Sequence, residues 1–97
     1  MIYTEGMIRK EALKELDSHP RGTLTTSELI QALELRLKPT GKDAEVADNR
    51  SDTYFSQKVR NLVSHRAQST GLVHQGLAVY DPDNESWAIT ELGKKSV

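Results

Sequence analysis

Gln57, Arg60, Asn61 and Ser64 recur at three- and four-residue spacing within residues 51–66. At about 100° per residue, that spacing sets them on one face of a helix. A planar amide pairs bidentately with adenine and a guanidinium with guanine, so this row has the chemistry to read base edges in a DNA major groove. Tyr54, Lys58 and His65 fall on the flanks and Arg66 at the end. Such groups reach phosphates, which fix orientation without reading sequence. Lys42 and Arg50, upstream, are further candidates for the DNA backbone. The opposite side carries Phe55, Val59, Leu62 and Val63 at i, i+4, i+7 and i+8, one apolar stripe. No carboxylate follows Asp52 in this segment. An amphipathic core helix with an ordinary polar side would show the same periodicity, so the elements around it have to discriminate.

Those elements must come from one small domain. Ninety-seven residues suit a single domain over residues 1–97, large enough for a core without staples. There is no cysteine, which excludes disulfides, zinc-thiolate sites and a cysteine nucleophile, and fits a reducing cytoplasm. No apolar run is long enough for a membrane span, and the first residues lack the charged and apolar regions of a secretion signal. The net charge of −1 argues against a strongly basic, non-specific nucleic-acid binder. Its distribution says more. Residues 50–80 hold Arg50, Lys58, Arg60 and Arg66 against Asp52, a net +3, which leaves −4 for the rest. Positive potential therefore concentrates on the segment with the readout chemistry. An affinity that falls steeply with salt is expected if that face meets phosphate.

In chain order, residues 7–17 predict a first helix, with Ile8, Ala12, Leu13 and Leu16 on its apolar face. Its Lys10/Lys14 and Glu11/Glu15 pairs are like-charged at i,i+4, so burial rather than charge pairing is expected to hold it. Pro20 and Gly22 break it, and His19 beside them is read as a turn residue. Residues 22–24 suit a very short strand. Thr25 and Glu28 then fit a capping box for a second helix reaching about Leu37, with Leu29, Ile30, Leu33 and Leu37 inward. Residues 39–50 read as a connection, with a short helical turn open at 43–47. Ser51 or Asp52 is expected to cap helix three, over about 52–66, and Gly71 to stand at its C′ position. Residues 77–80 and 86–90 then predict a β-hairpin around the turn Asp81-Pro-Asp-Asn-Glu85, with Trp87 and Ile89 on its core face. Thr90 caps a closing helical turn. The expected fold is α+β, mainly α: a winged helix-turn-helix of three helices plus a C-terminal two- or three-stranded β-hairpin wing.

Phe55, the run from Val59 to Arg66, the pair Gly76-Leu77 and the ending Trp87-Ala-Ile-Thr90-Glu-Leu-Gly93 together resemble a family. It is the winged-helix domain of prokaryotic restriction systems, found at the amino terminus of Mrr-like restriction proteins and attached to HNH endonucleases. The resemblance spans nearly the whole chain, through motifs that are mostly structural. It implies double-stranded DNA binding by helix three and the wing, as the targeting part of a restriction or nuclease system. No nuclease motif is visible, so a stand-alone DNA-binding protein and a domain of a longer one both stay open. So does a fused or associated nuclease partner.

The hairpin turn qualifies that reading. Asp81, Asp83 and Glu85 would be repelled by phosphate, so helix three is expected to carry most of the readout. The same carboxylates are spaced like part of a calcium loop, but the other ligands and the glycine are missing. No metal, cofactor or catalytic residue is expected, and no enzymatic activity. The alternatives are a protein-interaction or dimerisation winged helix, with a homodimer as its partner, and a stand-alone transcription regulator.

Overall fold

Thr4 starts the first helix: its hydroxyl accepts the Met7 N–H at 3.2 Å, and Glu5 faces the positive end of the dipole. The computed structural model describes residues 3–39 and 53–97. In it α1 covers Glu5–Ser18, two residues earlier than the apolar spacing alone predicts, because the cap precedes the first buried position. Ile8, Ala12, Leu13 and Leu16 are buried as expected. Its charged face is held by more than burial. Lys14 pairs with Glu11 at 3.3 Å and Arg9 with Glu5 at 3.6 Å. Arg36 of the next helix reaches both Glu11 and Glu15, which offsets the repulsion between those two carboxylates. The hydrogen bond to Glu15 raises the Arg36 pKa further above its ordinary value.

After Gly22, whose φ of 64° suits glycine, β1 (Thr23–Thr25) runs directly into α2 (Thr26–Leu37). The capping box forms in full: the Thr25 hydroxyl accepts the Glu28 N–H at 3.1 Å and the Glu28 carboxylate accepts the Thr25 N–H at 2.9 Å. Lys38 ends α2 in the left-handed conformation. The helical turn expected at 43–47 lies outside the described residues.

Helix α3 spans Tyr54–Ser64 and is capped by Thr53, not by Ser51 or Asp52. The Thr53 hydroxyl accepts the Ser56 N–H at 3.1 Å. This register lets Phe55 and Val59 enter the core fully buried. The helix also ends two residues before Arg66. His65 is its C-cap, and a series of tight turns follows, closed by Gly71 N–H to Gln68 O at 2.7 Å and His74 N–H to Arg66 O at 3.0 Å. Gly71 is therefore not the C′ residue. A β-carbon there would sit 2.3 Å from the His65 carbonyl oxygen, so glycine is required by close backbone approach.

Strands β2 (Ala78–Asp81) and β3 (Ser86–Ile89) form the expected hairpin, one residue out of step at its start and end. β3 also pairs with β1, giving a three-stranded antiparallel sheet ordered β1-β3-β2 in which Leu24, Trp87 and Tyr80 lie in register. Trp87 is fully buried with Phe55, Ile8, Leu16, Leu29, Leu33 and Val59. Ile89 packs at the core edge. The chain closes with α4 (Glu91–Ser96), where the Thr90 hydroxyl accepts the Gly93 N–H at 3.0 Å. The architecture is thus α+β, four helices and one small sheet among the described residues. No described helix is long and apolar enough to cross a membrane.

Two measurements check this account. The Glu28 carboxyl is held below its ordinary pKa, first by the Thr25 N–H and then by its hydroxyl. The box therefore contributes fully above the ordinary carboxylate range and is lost as pH falls through the lowered value. Thr25→Ala is expected to cost about 1 kcal/mol in urea unfolding at neutral pH. It is expected to keep most of that difference in acid, because alanine retains the N–H that the Glu28 carboxylate accepts. The destabilisation by Glu28→Gln, by contrast, is expected to shrink as pH falls. A β-carbon at Gly93 would stand 2.1 Å from the Leu77 carbonyl oxygen, so Gly93→Ala is expected to lower the thermal midpoint by several degrees or more, although alanine is the better helix former.

Candidate nucleic-acid interface

The packing of α3 decides which of its side chains can meet a ligand. With Phe55, Val59 and Leu62 buried, the helix turns Arg60, Asn61 and Ser64 outward, all exposed, and leaves Gln57 half-buried at the N-terminal side of the same row. Arg60 and Ser64 are brought together with residues from three other parts of the chain. Thr26 at the start of α2, Val63, Tyr80 on β2 and Glu85 at the foot of the hairpin turn complete the lining of one shallow groove.

The groove is held by backbone and ring contacts. The Glu85 carbonyl accepts the Thr26 N–H at 2.8 Å and the Thr26 hydroxyl at 3.1 Å. The hairpin is thereby fastened to the N-terminus of α2. Beyond the end of α3, the Arg66 guanidinium lies 5.0 Å over the Tyr80 ring and donates to the Val63 carbonyl at 2.6 Å. Tyr80 in turn meets Trp87 at 5.0 Å between ring centroids. Arg66 therefore couples the helix end to the hairpin.

Other expected phosphate-contacting groups also have structural partners. Lys58 Nζ donates to the Tyr3 carbonyl at 3.0 Å, and His65 Nδ1 meets Glu5 Oε1 at 2.7 Å. Tyr54 is half-buried beside the helix start. Lys42 and Arg50 lie outside the described residues. Arg60, Asn61 and Ser64 are thus exposed and Gln57 half-buried, and Lys58, His65 and Arg66 each tie α3 to another part of the chain.

The acidic turn is partly explained by its own geometry. Asp81 accepts the Asp83 N–H at 3.0 Å and the Asn84 side-chain amide at 2.7 Å, which is turn chemistry. Among the described residues, no group of three or more His, Cys, Asp or Glu is placed to hold a metal ion. Thr26 and Tyr80 are groove residues that sequence spacing did not single out, and Glu85 was read only as part of the acidic turn. Only the capping box, which puts Thr26 at the first position of α2, hinted at one of them. No family model, curated protein or solved structure matches the chain.

The Arg66 contact gives a test. Arg66→Ala is expected to cost about 1 kcal/mol and to speed hydrogen exchange at the β2 and β3 amides. Arg66→Lys is expected to recover only part of it, since an ammonium lacks the planar face that stacks on Tyr80.

Proposed function

We propose that the chain is a winged-helix domain that binds double-stranded DNA, with α3 in the major groove. The observation that carries this reading is the outward row Arg60, Asn61 and Ser64 on a helix whose other side buries Phe55, Val59 and Leu62 in the core. The element order supports it: α1, β1, α2, α3, then a hairpin whose second strand pairs back to β1. That arrangement places a hairpin beside a helix preceded by two others, as a winged helix does. Base readout falls to Gln57, Arg60, Asn61 and Ser64. Tyr54, Lys58, His65 and Arg66, with Lys42 and Arg50, supply positive or hydrogen-bonding groups along the phosphates, through the parts their structural contacts leave exposed. The motifs Gly76-Leu77 and Trp87-Ala-Ile-Thr90-Glu-Leu-Gly93 suggest the setting, the targeting of a restriction or nuclease activity in a prokaryotic cytoplasm.

One observation favours a second reading, a protein-interaction or dimerisation module. Leu35 on α2 is 78% exposed, beside Ala32 and framed by Glu15 and Arg36, and a large apolar side chain so placed is a candidate contact.

Gel-shift titrations on duplex DNA separate the two. Binding is expected to weaken steeply with salt, and Arg60→Ala or Asn61→Ala to cost about 1–3 kcal/mol of affinity. Unchanged affinity in both variants would remove α3 as the reading element. A dimer seen by light scattering, indifferent to added duplex, would favour the second reading.

A further inference from the structure

The foot of the hairpin turn is built in an unexpected way. Glu85 adopts φ 51°, one of two non-glycine residues among those described with a positive φ. Glycine or asparagine takes that conformation more readily than a residue with a long side chain. The strained residue is nevertheless fixed in place: Thr26 donates to its carbonyl through both its N–H and its hydroxyl. Glu85 thereby lines the same groove as Arg60, Val63, Ser64 and Tyr80. Arg60 and Glu85 thus both line one groove beside the outward row of α3, one able to donate hydrogen bonds and the other to accept them.

This pairing matches a particular base pair. In the major groove a C·G pair offers guanine O6 and N7 as acceptors and cytosine N4 as a donor. An ionised carboxylate can only accept. It is satisfied by cytosine N4 and repelled by thymine O4 and by the guanine acceptors, and at adenine the N6 donor is flanked by the N7 acceptor. We propose that Arg60 and Glu85 together read one C·G base pair, Arg60 donating to the guanine and Glu85 accepting from the cytosine. Glu85 is then a specificity-determining residue that acts largely by repelling the wrong bases, in the way discrimination often depends on an unfavourable contact with the competitor. The inference rests on the proposed entry of α3 into the major groove. It also gives the acidic turn a function on DNA: a carboxylate there weakens non-specific binding and is compensated only at the right base pair.

The test is selection from randomised duplexes, followed by anisotropy titrations on the selected duplex and on versions with each other base pair at every position. The wild-type chain is expected to prefer C·G at one position by about tenfold or more. Glu85→Ala is expected to reduce that preference to within about twofold and to bind a duplex lacking the site more tightly, because the repulsion is gone. Glu85→Gly is expected to melt no lower than wild type, since glycine relieves the left-handed backbone, and to show the same loss of preference, which separates reading from folding. If Glu85→Ala keeps the wild-type ranking at every position, or if the wild type binds DNA with no C·G preference, the pair-reading role is overturned and DNA binding by α3 stands. If the wild type binds no duplex, both the role and the reading beneath it fall.

Discussion

The fold depends on a short ladder between distant parts of the chain. Thr23, Leu24 and Thr25 pair with Ala88, Trp87 and Ser86, and the next contact, from Thr26 to the Glu85 carbonyl, joins positions 59 apart in sequence. Closing so long a loop costs conformational entropy, which the apolar burial around Trp87 must outweigh. Once β3 is seated, α2 begins at a fixed point beside it, and β2 is held along its other edge. The groove beside α3 exists because this ladder brings the first residue of α2 and the last residue of the turn together.

The basic residues around α3 brace the helix against three other parts of the chain. Lys58 binds the backbone of the segment before α1, His65 meets a carboxylate of α1, and Arg66 stacks on the hairpin. Lys58 and Arg66 carry part of the positive charge of residues 50–80 while they hold α3 in place. The local excess of charge is therefore partly structural. A chain with a net charge of −1 has little other positive potential to draw on.

Local features were the readable ones. The Thr25 and Glu28 box, the hairpin around Asp81 to Glu85, the burial of Trp87 and the Thr90 cap all follow from patterns a few residues long. The cap of α3 did not, because Ser51, Asp52 and Thr53 are all competent caps and only the depth of Phe55 in the core selects Thr53. Gly71 was misplaced because its requirement comes from the carbonyls of His65 and Arg66, not from a helix end. The bridge from Arg36 to Glu11 and Glu15 was invisible because it links two helices. For the candidate site, the periodic row on α3 was legible, whereas its neighbours Thr26, Tyr80 and Glu85 arrive through the fold of the rest of the chain.

Tyr3 has a consequence for the packing of α2 and α3. Its hydroxyl donates to the Leu37 carbonyl at 2.8 Å, its ring meets Phe55 edge-on at 5.9 Å, and its own carbonyl accepts from Lys58. One residue from the start of the chain thus clasps the end of α2 to the beginning of α3. Their relative position is therefore set in part through one side chain that belongs to neither helix, so a change at Tyr3 would be felt at the end of α2 and at the start of α3 together.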